Sequence, residues 1–275
     1  MSTTHIVEIR TSQVNAFKVL VDTIHSLVID VCIEFDAAGM RILTVDAKMT
    51  VLINVKLHAD KFDFYRYDEA KGGPSFSIGV DTPNLNKIMK TVNSKDALTL
   101  FVDDKQHLNI KLQNEQQTTT YRMDLMEYNQ KILPLSSETF THHFDFDSVR
   151  IQKTLRDLNA FSDTVLIRAV GKRRFSLQCK GSFCSVMSEV RDTDGGDDDD
   201  DVVPDVVPDA VPDDASDVVS GTFDLKKLLL FTKCTNLCNF VEIRFKNDYP
   251  IIFNYSVANM GEIMLCLEPT AAATT

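Results

Sequence analysis

One order of elements is written twice along this chain: strand, helix, several strands, helix, hairpin, strand. In the first half Val31, Ile33 and Phe35 alternate with polar or small residues, and Ile42, Val45, Val51, Ile53, Val55 and Leu57 supply two more strands. Leu98 to Val102 and Leu108 to Leu112 flank the turn-like Asp103-Asp104-Lys105-Gln106 and predict a hairpin. In the second half Val241 to Phe245 and Ile251 to Tyr255 flank Lys246-Asn247-Asp248-Tyr249-Pro250 in the same way. Helical spacing marks four segments: Val14, Phe17, Val21, Ile24 and Val28; Leu85, Ile88, Met89 and Val92; Ile151, Leu155 and Leu158; Leu225, Leu228 and Leu229. The second opens on Asp81-Thr82-Pro83 and the third follows Asp147 and Ser148, residues suited to cap a helix. Val31-Ile33-Phe35, a Gly39 turn and Arg41-Ile42 parallel Val165-Ile167-Ala169, a Gly171 turn and Arg174-Phe175. Asn86-Lys87-Ile88 parallels Lys226-Lys227-Leu228, each ahead of a hairpin. The reading is an α+β chain made by duplication; unrelated α+β chains also show such echoes.

With 275 residues, 44% of them hydrophobic, the chain can bury one large core or two of roughly 130 residues each. We expect an N-terminal domain over 1–125, an extended connector over 126–140 that contains Pro134, a C-terminal domain over 141–270 and a short tail over 271–275. No run of about 20 apolar residues is present to span a membrane, and Met1 to Arg10 lacks a charged-then-apolar signal pattern, so no membrane contact or secretion is expected. Six cysteines without close pairing read as reduced thiols of an intracellular protein.

The formal charge of −11 at first argues against a nucleic-acid partner. Its location reverses that. Twelve aspartates and no Lys or Arg lie between Asp192 and Asp217, which leaves 29 basic and 28 acidic residues elsewhere. Phosphate binding depends on local clusters of cations, not on the whole-chain sum. Within 192–218, Pro204, Pro208 and Pro212 recur every fourth residue behind a run of five aspartates, a composition that blocks helix and opposes collapse; a disordered acidic surface loop is expected.

At about 100° per residue, Lys87 and Lys90 fall opposite Leu85, Ile88 and Met89. Lys153 and Arg156 lie opposite Ile151, Leu155 and Leu158, with Arg150 to one side. Lys226 and Lys227 face away from their leucines and Lys233 follows, while Lys18 and His25 flank the first apolar stripe. Charge on the wet face of an amphipathic helix is ordinary solvation; three basic outer faces are less easily dismissed, but Asp145, Asp147, Asp157 and Asp224 dilute the pattern, which alone supports nucleic-acid binding only weakly, the expected mode being phosphate contact without base reading. Enzyme chemistry finds less support. Cys179-x4-Cys184 and Cys234-x3-Cys238 lack the usual zinc spacing, adjacent His142 and His143 should point to opposite faces of a strand, and no Gly-rich phosphate loop, nucleophile elbow or His-Glu metal motif occurs. A metal-dependent enzyme is the alternative of a different class, and no cofactor is expected.

Several stretches together resemble the proliferating cell nuclear antigen family of DNA sliding clamps. Gly39-Met40-Arg41-Ile42-Leu43-Thr44-Val45-Asp46, continuing to Phe62-Asp63-Phe64-Tyr65-Arg66-Tyr67-Asp68, is similar to the family's first domain. So are Leu85-Asn86-Lys87-Ile88-Met89-Lys90 and Tyr121-Arg122-Met123-Asp124-Leu125-Met126. Arg156-Asp157-Leu158, Phe231-Thr232-Lys233, Pro250 to Tyr255, Ala258-Asn259-Met260-Gly261 and Leu267-Glu268-Pro269 resemble the second domain. The resemblance implies two similar clamp-type domains with outer antiparallel sheets, four helices lining a central hole, and a head-to-tail homotrimeric ring around double-stranded DNA. It implies a non-enzymatic platform that serves a DNA polymerase, other proteins bearing clamp-binding motifs and a clamp loader, in the nucleus or another intracellular replication site, cellular or viral. A non-encircling or mixed-ring processivity subunit of the same fold is the alternative.

By position, the family's DNA-facing residues fall on Lys18, His25, Lys87, Lys90, Lys153, Arg156, Lys226 and Lys233, and the helical projection adds Arg150 beside them. Its partner-peptide pocket falls on Val45, Met49, Thr50, Leu133, Leu135, Phe140, Pro250, Cys266 and Glu268. Met49, Thr50, Cys266 and Glu268 depart from the usual residues there, which implies a wider or more polar pocket edge. Subunits would pair through edge strands around Thr119, Tyr121 and Met123 on one copy and Ser182, Phe183, Ser185 and Met187 on the next.

Overall fold

The computed structural model describes residues 5–128, 140, 142–171, 174–190 and 218–270. In the first half the order is β1 (Val7–Thr11), α1 (Val14–Leu27), β2 (Asp30–Asp36), β3 (Gly39–Val45), β4 (Val51–His58), β5 (Phe64–Tyr67), the one-turn α2 (Glu69–Gly72), β6 (Phe76–Asp81), α3 (Thr82–Lys90), β7 (Ala97–Val102), β8 (His107–Gln113) and β9 (Thr118–Asp124). The second half runs β10 (His142–Asp147), α4 (Ser148–Asn159), β11 (Thr164–Val170), β12 (Arg174–Lys180), β13 (Ser185–Val190), β14 (Val218–Asp224), α5 (Leu225–Phe231), β15 (Phe240–Phe245), β16 (Ile251–Val257) and β17 (Gly261–Leu267).

The duplication extends to strand pairing. Neighbour order β4-β3-β2-β6 is answered by β13-β12-β11-β14, and β1-β7-β8-β9 by β10-β15-β16-β17, with β5 added beside β1 in the first half. Antiparallel pairings carry this order at β2–β3 (Ile33↔Ile42), β2–β6 (Ile33↔Ile78), β11–β12 (Ile167↔Leu177) and β11–β14 (Ile167↔Gly221). Even a turn contact repeats: Thr82 N donates to Ile29 O at 2.8 Å and Leu225 N to Asp163 O at 2.9 Å, each tying the helix start to the segment before the preceding hairpin. Val218, expected to close the acidic insertion, instead opens β14. The rest of that insertion lies outside the described residues, as do residues 129–139 of the connector and the tail.

Two compact units result. One comprises the described residues up to Tyr128 with Lys233–Cys238 and Asn254–Cys266; the other takes those from Phe140 to Thr232, Asn239–Phe253 and the described residues from Leu267 on. In the first, Phe17, Leu20, Val21 and Ile24 of α1 and Leu85 of α3 pack against Val31, Ile33, Met40 and Ile42, all buried. There β17 lies beside β4, and His58 N donates to Met260 O at 2.9 Å. Gly39 and Gly261 (φ +146° and +157°) are required at that approach, because a Cβ on either would sit 2.0 Å from the Leu57 or Lys56 carbonyl oxygen. In the second unit Ile151, Leu155 and Leu158 of α4 and Leu225, Leu228 and Phe231 of α5 are buried over an aromatic core in which the rings of Phe144 and Phe146 lie 5.2 and 4.9 Å from Phe175. Each buried Leu, Ile or Phe contributes roughly 1.5–3 kcal/mol, which fixes the helices with one face inward.

Candidate nucleic-acid interface

Among the described residues, three of the four longer helices begin at the same device, a strand whose last residue is a capping aspartate. Asp81 accepts from Asn84 N at 2.8 Å, Asp147 from Arg150 N at 2.7 Å and Asp224 from Lys227 N at 3.1 Å. An ionised carboxylate there satisfies an orphan N–H and suits the positive end of the helix dipole. The junction fixes each helix's rotation, so the apolar stripe points inward and the basic residues outward. Asp147 and Asp224 therefore serve the helices whose basic faces they were expected to dilute.

In the first unit, Lys87 and Lys90 occupy the last turn of α3 and are exposed, favourably placed against the carbonyl end of the helix. Lys18, Asp22 and His25 share one stripe of α1, at i, i+4 and i+7. Lys18 is half-buried and its ammonium donates to the Val92 carbonyl at 3.2 Å. His25 is half-buried, and its Nδ1 has no hydrogen-bond partner among the described residues. Lys233, in the short 3-10 turn Thr232–Asn236, pairs with the Asp22 carboxylate at 3.1 Å and donates to the Ser26 hydroxyl. Asn86 Nδ2 donates to the other Asp22 oxygen at 3.3 Å. Desolvation pushes the Asp22 pKa up, but the hydrogen bond and charge of Lys233, the Asn86 amide and the nearby Lys90 outweigh it and hold it below the ordinary carboxylate value.

In the second unit, Arg150, Lys153 and Arg156 of α4 are exposed and form no ion pair among the described residues. Lys226 of α5 is exposed as well, but its ammonium lies 2.9 Å from Asp163, whose hydrogen bond and charge raise the lysine's pKa. The nine expected residues thus fall five in one unit and four in the other, and differ in freedom: Lys90, Arg150, Lys153 and Arg156 are exposed without an ion pair among the described residues, Lys87 is exposed and donates only to the Asn84 amide oxygen at 3.3 Å, while Lys18, Lys226 and Lys233 hold a carbonyl or carboxylate partner. Sequence reasoning missed Asp22 and Asp163. Asp22 had a local signal, four residues after Lys18; Asp163 had none.

Of the expected pocket residues, Leu133 and Leu135 lie outside the described residues. Val45 ends β3 and is partly exposed; Asp46 then builds a tight turn, its carboxylate accepting from Thr50 N at 2.7 Å and Val51 N at 2.8 Å. That turn holds Met49, a residue 57% exposed, at φ +56°, a backbone conformation that side-chain-bearing residues seldom adopt. In the other unit Phe140 meets Tyr249 edge-on at 6.3 Å next to the partly exposed Pro250, and Glu268 is exposed. Cys266 is buried.

The expected pairing segments lie on edges of their sheets. β9 ends the order β5-β1-β7-β8-β9, and β13 ends β13-β12-β11-β14. Thr119 and Tyr121 are partly exposed on β9, with the Tyr121 hydroxyl 3.0 Å from that of Thr91, while Met123 turns into the core. Ser182 and Phe183 sit in the turn before β13 and Ser185 and Met187 on it; Phe183 is 79% and Met187 50% exposed. His142 is buried and His143 exposed, on opposite faces of β10. Cys179 and Cys184 fall in one unit and Cys234 and Cys238 in the other, all free thiols, and no His, Cys, Asp or Glu group among the described residues is placed to hold a metal.

Family models for the N-terminal and C-terminal domains of proliferating cell nuclear antigen match residues 6–132 and 135–270, together nearly the whole chain. The chain belongs to the proliferating cell nuclear antigen family. The boundary between the two matches falls between β9 and β10, where the order of elements restarts. Curated relatives include the probable DNA polymerase sliding clamp 1 of Paramecium bursaria Chlorella virus 1, 25% identical over 273 residues and covering 95% of each chain. The probable DNA polymerase sliding clamp of Acanthamoeba polyphaga mimivirus is 24% identical over 307 residues, covering 96% of this chain and 62% of that protein.

Proposed function

We propose that this chain is a DNA sliding clamp, a polymerase processivity factor whose copies close into a homotrimeric ring around duplex DNA at an intracellular, viral or nuclear replication site. The observation that carries the reading is the doubled family fold, with a helix in each half that presents exposed cations on its wet face: Lys87 and Lys90 on α3, and Arg150, Lys153 and Arg156 on α4. Such charges hold phosphates without reading bases, and their contacts exchange as the DNA slides. Topological linkage, not affinity, then supplies processivity, and no bond is made or broken. Edge strands β9 and β13 supply the two unlike surfaces that a head-to-tail contact needs. Polymerase and other partners dock a short helical turn against the surface that carries Val45 and Met49, and a loader opens the ring.

Light scattering over a range of concentrations tests the ring. A stable mass near three times 30.9 kDa supports it; a monomer or dimer throughout moves the function to a non-encircling or mixed-ring processivity subunit. That second reading draws on α1 and the Lys233 turn, where the two lysines at DNA-facing positions are tied to protein groups.

A further inference from the structure

The stripe of α1 that the clamp reading turns toward DNA carries a carboxylate at its centre. Asp22 lies one turn after Lys18 and just under a turn before His25, with its side chain 42% exposed. An anion facing a phosphate backbone would be repelled unless something nearby neutralised it, and Lys233 does so from a turn 211 residues further along the chain. The contact is held on several sides. The lysine also donates to Ser26, one turn further along α1; the second Asp22 oxygen accepts from Asn86; and Lys90 adds a favourable charge. Both partners are about six-tenths shielded from water, 39% and 42% exposed, so the pair is more persistent than one fully in solvent.

We infer that Asp22 is a positioning residue that loosens this clamp's hold on DNA by keeping the Lys233 ammonium on the protein instead of on phosphate. The inference rests on the clamp reading, in which Lys233 stands at a DNA-facing position. A lysine released from its carboxylate is free to take a phosphate contact and expel a counterion; one that is retained contributes nothing to the salt dependence of binding. For a ring that must slide, one lysine fewer on the backbone lowers the barrier to each step while topology keeps the ring on the DNA.

The test uses the full chain and a short fluorescent duplex of mixed sequence, with binding followed by anisotropy between about 50 and 200 mM salt. Asp22→Asn keeps the size of the side chain and its acceptor for Asn86 while removing the charge. It is expected to bind several-fold tighter at low salt, with the log–log salt slope steeper by about 0.9 for one new phosphate contact. In a Lys233→Met background the same substitution should leave the slope nearly unchanged. A second variant, Asp22→Ser, guards against a folding artefact at the first and should behave alike, with thermal melting of both recorded. An unaltered slope in Asp22→Asn, or an equal steepening with Lys233 replaced, overturns the inference. Failure of the clamp reading would look different: Lys153→Ala and Arg156→Ala would then leave DNA binding untouched, whatever Asp22 does.

Discussion

If the helices face DNA, the cations on them should matter in the order in which the fold leaves them free. Arg150, Lys153 and Arg156 stand exposed on α4 with no ion pair among the described residues, so a phosphate meets no internal competitor there. Lys226 must leave Asp163, but both groups are well exposed and water screens their attraction, so release is easy. Lys18 and Lys233 are half-buried and bound to Val92 O and Asp22, so their removal should cost DNA binding least. Each full phosphate contact adds about 0.9 to the salt slope, which between about 50 and 200 mM amounts to a factor of about 3.5, or roughly 0.7 kcal/mol. Lys153→Ala and Arg156→Ala should each flatten the slope by up to that amount and together by up to about twice it, Lys226→Ala by less, and Lys18→Ala and Lys233→Ala by little. Anisotropy titrations of each variant on one duplex at four or five salt concentrations yield the slopes directly. A Lys233→Ala effect equal to that of Lys153→Ala would refute the argument that internal pairing decides which lysines reach DNA.

The remaining predictions concern stability and partner binding. Asp147→Ala and Asp224→Ala should each lower unfolding free energy by about 1 kcal/mol through loss of the helix cap, read from the urea midpoint at constant m-value. Gly39→Ala and Gly261→Ala force a Cβ to 2.0 Å from a carbonyl oxygen and should cost roughly 3 kcal/mol or more, seen as a lowered melting temperature or loss of soluble protein; a melt within a degree of the parent contradicts the geometry. Leu155→Ala, at a fully buried position of α4, should cost about 2–5 kcal/mol by the same denaturant assay. If Met49 and Thr50 stand at the rim of a partner pocket, a standard clamp-binding peptide titrated by calorimetry should bind with an affinity different from that of an ordinary clamp; equal affinity would dismiss the altered rim.

The sequence disclosed what depends on neighbours along the chain. The stripes of α1, α3, α4 and α5 were readable because burial selects Val14, Phe17, Leu155 and Leu228 at helical spacing. Asp81 and Asp147 were readable as caps because a cap acts on the amide three residues ahead. Asp224 is the same device, yet among the lysines of α5 it looked like a diluting charge; its strand-end position, matching Asp81 and Asp147, is what distinguishes it. What could not be read depends on the fold bringing distant residues together. Lys233 and Asp22 are 211 residues apart, and Lys226 and Asp163 meet only because the α5 start is hydrogen-bonded to the turn after α4. Helical projection places a side chain on the wet face but says nothing of which carboxylate waits there.

That limit bears on function. Counting basic residues on outer helical faces treats Lys18, Lys153 and Lys233 as equal, and on that count the chain looks like a firm phosphate binder. The fold divides them. Charges on α3 and α4 stay exposed and form no ion pair within hydrogen-bond distance among the described residues, while those of α1 and the Lys233 turn are held by a carbonyl and a carboxylate. A protein that binds DNA by affinity would lose by such an arrangement, since every internal partner subtracts a counterion from the binding free energy. A ring held by topology loses nothing, because its residence depends on closure and its movement depends on contacts that break readily. The pairing of Lys233 with Asp22 is therefore easier to understand in a clamp than in a static DNA-binding domain, and the salt slope of Asp22→Asn is where the two cases part.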